Sequence, residues 1–572
     1  MLPEMIPRMI GRFPLLPALI LFLSASGSYP GFAAGENRDS LVFAAAGDPK
    51  TFNPVLAQET SSSEILQFVF DGLTRLNPIT GKIEPMLAEK WEVAEEGLVW
   101  TFHLRRDVLW ADGDSFDSAD VLFTFNDVIA NPDVLANSRD IFKIEGKSVE
   151  AKAVDRFTVE FRLPSVFAPF LSALGQPILP EHILRTPVTQ GKFSNSWGID
   201  EDPAKIIGTG PYRMVSYEPG ERIRLVRNPR YWKRGAGGEM LPYIEEIMIL
   251  VVPGPDLRLL KFLEGETDIY SASGRDYAVL GPKAERTGKF ILLDAGPSNS
   301  SNFLVFNQNS KEPDKKDWFG RRDFRLAVAH AIDSAAMIDI VFNGLGSPEC
   351  SPVSPANKAH FNPDVACYEF DPARSKSLLD SMEFSDKDGD GIREDPSGKP
   401  MEFVLMTNAE NPERLQMAGM VREDFAGVGL KVHFLALEFN SLVSRLVATG
   451  EWDAVILGLT GSADPHFGSN VWRSNGTLHF WNRGAAEILP WETRVDELFD
   501  LGVKTIDEAA RKAVYGEWQV IAVRELPMIY LVLPKTIFAV RDRFENLKPS
   551  ALGGILHNIE EIKIKNSGAN PS

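Results

Sequence analysis

The chain has 572 residues, with 60 Lys and Arg against 79 Asp and Glu, for a formal net charge of −19. That field repels phosphate backbones and argues against a nucleic-acid binder. A 44% hydrophobic and 24% charged composition excludes wholesale disorder, and two cysteines cannot build a disulfide scaffold or a four-Cys zinc site. The length calls for two or more lobes.

The first stretch reads as a secretory leader. Arg8 and Arg12 precede an uncharged apolar run, Phe13 to Ala25, and small residues follow at Ser26, Ala33 and Ala34. The run falls short of the roughly 20 residues that span a bilayer. Residues 1–34 are therefore expected to be a signal peptide, cut after Ser26, Ala33 or Ala34. No Cys precedes Cys350, so a lipid-anchored N-terminus is not expected. Export to an oxidising compartment would let Cys350 and Cys367 pair, although two free thiols fit the sequence equally.

Further along, Leu98, Trp100, Phe102 and Leu104 alternate with Val99, Thr101, His103 and Arg105, as in a half-buried strand. Arg222 to Leu225 shows the same period. Gly208-Thr209-Gly210-Pro211-Tyr212 reads as a turn into a strand, since the third glycine of a dinucleotide loop is missing. Phe324 to Val341 reads as one Ala-rich helix, with Phe324, Ala327, Val328, Ala331 and Ile332 on one face and Asn343-Gly344 ending it. Arg414 to Phe425 reads as a helix, and Val428 to Leu437 and Asp453 to Leu459 as strands. The mixture points to an α/β or α+β fold.

Motifs for catalysis are absent: there is no HExxH, GxxxxGK[ST], GxSxG or GxGxxG, and the eight His show no ligand spacing. Asp386, Asp388 and Asp390, followed by Gly391, match the opening positions of a calcium loop. Ser397 stands where the closing Glu should be, and an acidic hairpin loop in solvent fits as well. Between Trp452 and Trp481 an apolar strand runs into a Gly/Ser/Asp/Pro loop, with Asp464, His466, Trp472, Arg473 and Trp481 close by. Aromatic walls with a few polar groups suit a small-molecule pocket, in which Asp464 would hold a cationic group. The same pattern suits a core with a turn at Asp464-Pro465.

Several segments in order resemble the family 5 extracytoplasmic solute-binding proteins, the peptide/nickel class that feeds ABC importers. They are Leu87-Ala88-Glu89-Lys90-Trp91, Trp110-Ala111-Asp112-Gly113, Pro180-Glu181-His182-Ile183-Leu184, Gly208-Thr209-Gly210-Pro211-Tyr212, Arg227-Asn228-Pro229-Arg230-Tyr231-Trp232 and Asp323-Phe324-Arg325-Leu326-Ala327. The resemblance implies a type II periplasmic binding protein-like α/β fold of two lobes joined by a two-strand hinge, with a subdomain inserted in lobe I. On this chain lobe I would comprise 35–81, 207–298 and 533–572, the insertion 82–206 and lobe II 299–532, with hinge crossings near 298–306 and 529–534. It implies capture of a peptide or related solute between the lobes and delivery to an inner-membrane permease, by a periplasmic monomer with no enzymatic activity and no cofactor. An exported hydrolase is the rival reading.

By the same resemblance, Asp464, Trp472, Arg473 and Trp481 would face the cleft from lobe II, and Glu59 and Thr60 from lobe I. Asn302 and Asn307 would sit at the first crossing, and His466 and His479 would serve a metal-complex ligand. The family's earlier carboxylate, an amine anchor in peptide binders, is replaced by Ser462 or Ala463. That departure leaves room for an oligosaccharide, an opine-type conjugate or a metal complex.

Overall fold

The computed structural model describes residues 39–565. The expected signal peptide lies outside the described residues.

Two large sheets divide the molecule. The first joins, in spatial order, Tyr212–Glu218, Arg222–Arg227, Glu246–Val251, Ser40–Ala45, Ile269–Ala272, Val532–Arg541 and Phe290–Pro297. Its centre is parallel: Ser40–Ala45 pairs in register with Glu246–Val251 and touches Ile269 through Phe43. The second joins Lys431–Leu437, Glu402–Asn408, Ala454–Thr460, Ser300–Phe306 and Ile529–Tyr530, with the first three parallel. Such sheets carry ligands beyond the carboxyl ends of their parallel strands.

The second sheet is buried on both faces, which explains its near-continuous apolar strands. Leu304 and Phe306 enter one core with Leu405 and Ile456, while Phe303 and Val305 enter the opposite core with Met406 and Val455. Each strand alternates between the two cores because successive side chains leave opposite faces.

A four-stranded antiparallel sheet, Ala88–Ala94, Val99–Leu104, Thr158–Arg162 and Glu150–Asp155, forms the inserted subdomain. Trp100, Phe102, Phe161 and Phe170 fill its own core. Trp100 and Phe102 both pack inside, with Phe102 against Phe161 at 5.7 Å.

The helix expected over Phe324 to Val341 is two helices, Arg322–Ala331 and Ser334–Phe342. Ile332 turns extended (φ −87°, ψ 122°), and the Asp333 side chain accepts the Ala336 backbone N–H at 2.9 Å. Asp333 thus caps the second helix, and a capping residue cannot also continue the first. Asn343, left-handed at φ 52°, closes the second helix.

Two crossings join the lobes. Phe290–Pro297 gives way to Ser300–Phe306, and Ile529–Tyr530 gives way to Val532–Arg541. Ser298 N–H donates to the Pro534 carbonyl at 2.8 Å, and Leu531 N–H to the Asn302 carbonyl at 2.9 Å, so the crossings are bonded to each other. Cys350 and Cys367 form a disulfide with Cα atoms 4.7 Å apart.

The turn Gly208–Pro211 explains its own composition. Gly210 N–H donates to the Val69 carbonyl at 2.9 Å, and a Cβ on Gly208 would lie 1.9 Å from that oxygen. This close approach seats the chain that follows the helix Thr60–Leu66, one wall of the interlobe space. Gly208→Ala should therefore cost about 1–3 kcal/mol or more of stability in urea unfolding. Gly419→Ala, with open space around it inside the helix Pro412–Gly427, should gain about 1 kcal/mol.

Candidate functional site

A cavity of about 910 Å³ opens between the lobes. From lobe I it is walled by the ends of the parallel strands (Ala44, Ala46, Ser271), by Glu64, and by the first turns of the helices Pro255–Glu264 and Gly274–Thr287. From lobe II come the end of the helix Ser334–Phe342 and the segment Glu410 to Glu413, which follows the strand Glu402–Asn408 and opens the helix Pro412–Gly427. Both walls therefore lie at strand carboxyl ends.

The lobes touch on either side of this space. Asn343 Nδ2 donates to the Gly274 carbonyl at 2.8 Å, and a Cβ on Gly274 would strike Phe342. On the other side the inserted subdomain meets lobe II. Phe167 packs on the His466 ring at 5.4 Å, and Ala168 N–H donates to the Val503 carbonyl at 2.7 Å. The lobes are therefore in contact on both sides of the cavity.

The cavity is rich in carboxylates. Asp276 is buried and accepts from Tyr270 Oη (2.8 Å), Ser273 Oγ (2.9 Å) and Ser273 N–H (3.0 Å). Burial pushes the Glu64 carboxyl up, with partial relief from Arg258. Burial also raises Glu413, and the negative charge of Asp276 on the opposite lobe adds to it. Arg258 and Arg275 supply the positive charge, and Arg275 is already held by Asp256 at 2.8 Å.

The residues expected to face the cleft go elsewhere. Asp464 is 5% exposed, and both its oxygens are taken by Arg511, at 2.5 and 2.7 Å. It also caps the short turn Pro465–Gly468 by accepting the His466 N–H. It holds no free oxygen for a ligand, because a buried carboxylate needs a partner and this one has found it inside the lobe. Trp481 is fully buried, donates from Nε1 to Glu492 at 3.2 Å and stacks near Trp472 at 5.4 Å. Trp472 also packs on Trp518 at 5.0 Å and borders a separate cavity of about 190 Å³ inside lobe II. These rings are core, not a wall of the interlobe cavity. Arg473 pairs with Asp500 at 2.7 Å.

Glu59 accepts from Ser62 Oγ and from the Lys50 N–H, and neither it nor Thr60 lines the interlobe cavity; Glu64, on the next turn of the same helix, does. Asn302 Oδ1 accepts from Arg414 Nε at 3.1 Å, and Asn307 Nδ2 donates to the Trp452 carbonyl at 2.9 Å, so both amides serve the strands. His479 bridges Glu492 and the Val471 carbonyl, while burial drives His466 down to about 4. Neither offers a metal site. Asp386, Asp388 and Asp390 do converge, joined by Glu394, which the spacing had not singled out. Asp395, next to Glu394, accepts from Trp318 Nε1 at 3.2 Å and from the backbone of Ser397 and Lys399.

Glu64, Asp276, Glu410 and Glu413 had no distinguishing signal in the sequence. Three lie on helices and Glu410 in the turn before one, where each reads as an ordinary solvent-facing charge. Only the parallel strands behind them reveal that they share one space.

Residues 82–479 match the family model described as bacterial extracellular solute-binding proteins, family 5. The chain belongs to this family. It is 30% identical to a probable ABC transporter-binding protein of Deinococcus radiodurans, over 87% of each chain. It is 26% identical to the dipeptide-binding protein of Escherichia coli, over 93% of this chain and 96% of the relative. Its fold superposes on NikA from Brucella suis, solved with Fe(III)-EDTA, at a TM-score of 0.77 and 23% identity, covering 92% of this chain and 100% of the other. The two-lobe type II architecture is thus the family's. No helix among the described residues is long and apolar enough to cross a membrane.

Two outcomes follow from the site's electrostatics. Asp464→Asn leaves Arg511 buried without its counter-charge, so urea unfolding should show a loss of about 3–5 kcal/mol, while the folded fraction binds ligand as before. At the crossings, Glu349 is 6% exposed and accepts only from Ser301 Oγ and the Asn302 N–H; burial pushes its carboxyl up to about 8. The folded state keeps this proton while the unfolded chain releases it near 4.5, so stability falls as pH rises between about 4.5 and 8. In Glu349→Gln the drop in melting temperature from pH 5 to pH 8.5 should shrink.

Proposed function

We propose that the protein is the periplasmic binding component of an ABC importer. It captures a peptide or related small solute between its lobes and presents the closed form to a membrane permease. It acts as a monomer exported by its leader, without catalysis. The observation that carries the reading is the interlobe cavity, walled at strand carboxyl ends by both lobes and spanned by only two crossings. A ligand touching both walls favours the closed arrangement through contacts the open form lacks. Family membership and the relatives named for dipeptide and transporter binding support it.

A second reading keeps the transport role with an oligosaccharide, an opine-type conjugate or a metal complex as solute. It is favoured by the engagement of Asp464 with Arg511 and by Ser462 and Ala463 where peptide binders place an amine anchor.

The test is mass spectrometry of whatever the purified protein releases on denaturation, followed by refolding with and without that compound. Ligand at 100 times its Kd should raise stability by about 2.7 kcal/mol, and X-ray scattering should show compaction. A preparation that releases no compound and never compacts, or one that turns over its bound compound, would refute the transport reading.

A further inference from the structure

We propose that the solute held between the lobes is an organic cation, bearing amine or guanidinium groups that lie against Glu64 of lobe I and Glu413 of lobe II. The inference rests on the solute-binding reading above and narrows it to a chemical class.

Four carboxylates face the interlobe cavity, Glu64, Asp276, Glu410 and Glu413, against two guanidinium groups. Most of these groups are already committed. Asp276 Oδ2 is occupied by Tyr270 and Ser273, and its Oδ1 lies 4.0 Å from Arg275 Nε. Glu410 accepts the Phe439 N–H at 3.1 Å and Asn408 Nδ2 at 3.4 Å. Arg275 is paired with Asp256. Arg414, beside Glu413, is turned away onto Asn302 and Asn408 at 3.1 Å each, lying over Gly458, where a Cβ would strike its guanidinium. Arg258 donates to the Val252 carbonyl at 3.1 Å. Glu64 and Glu413 are left: among the described residues neither makes a side-chain hydrogen bond or an ion pair, and both are driven up by burial, which outweighs the more distant pull of Arg258 on Glu64 and of Arg414 and Arg275 on Glu413.

Their placement couples charge to closure. Glu64 belongs to one lobe and Glu413 to the other, and across the gap Glu413 feels the repulsion of Asp276 more strongly than the attraction of Arg275. Bringing the lobes together concentrates like charge in a space of reduced dielectric, which opposes closure. A bound cation removes that opposition, an anion adds to it, and a neutral solute leaves it. A solute can shift the open–closed balance only through such a differential interaction. The chain's net charge of −19 also draws cations toward the cleft.

Calorimetry on ligand-stripped protein distinguishes the classes, with trilysine, spermidine, trialanine and triglutamate as probes. Trilysine or spermidine should bind at least about 10-fold tighter than trialanine, the difference a charge-assisted hydrogen bond supplies, and the affinity should fall as salt rises. Tight binding by trilysine alone marks a basic peptide, and by spermidine alone a polyamine. Glu64→Gln and Glu413→Gln should each weaken the cation about 10-fold with unchanged urea midpoints. The salt dependence of the unaltered protein gives the same answer without a variant. Equal or tighter binding of trialanine or triglutamate overturns the inference, as does undiminished cation binding by both variants. Release of a neutral or anionic compound from purified protein also overturns it, yet leaves the transport reading standing. A protein that binds no probe, releases nothing and never compacts loses both.

Discussion

The lobes are joined by two short crossings that are hydrogen-bonded to each other, and the strand Gly346–Pro348 pairs with the second of them at Val532 to Pro534. Ser298 donates across to Pro534 and Leu531 to Asn302, so the segments form a narrow ribbon rather than two independent linkers. A ribbon of this kind bends as a unit and resists sliding, which restricts the lobes to opening and closing. Glu349 sits in it as a buried carboxyl without a cation, accepting from Ser301 and Asn302. The hinge thus joins the ends of two sheets by a few backbone bonds, with one buried carboxyl among them.

On either side of that ribbon the sheets leave little freedom. Lobe II buries both faces of its central strands, with Phe303 and Leu304 entering opposite cores. Interiors packed in this way do not deform gradually. The cavity walls therefore travel as rigid bodies with their strands, and the contacts at Gly274–Asn343 and Phe167–His466 mark where travel stops. Buried ion pairs reinforce the lobes from within. Glu560, held near 2 by Arg75 and Lys233 against the opposing effect of burial, ties the C-terminal segment to lobe I as Asp464–Arg511 ties a loop to a helix in lobe II.

The Trp452–Trp481 segment illustrates how one composition serves two ends. Aromatic rings with a few polar groups describe a pocket wall, and they equally describe a core that must satisfy an indole N–H and a histidine. Glu492 decides between them: it accepts from Trp481 Nε1 and contacts His479, and it lies on a helix that follows the segment in the chain. The Asp464 carboxylate is decided in the same way by Arg511, 47 residues further on. No local pattern announces either partner.

The sequence alone determined the family, because its motifs preserve local necessities: Gly208 and Gly210 where backbone meets backbone, and strands whose side chains alternate between two environments. From those follow the α/β lobes and the insertion. It could not divide Arg322–Ala331 from Ser334–Phe342, since Asp333 reads as one more polar residue until its side chain is seen capping. Nor could it find the cleft's charges. Glu64, Asp276 and Glu413 lie far apart in the chain, each on a helix of its own, where a carboxylate is expected to meet water. Only the tertiary structure, by bringing parallel strands of two lobes end to end, placed them in one cavity and buried them there in part.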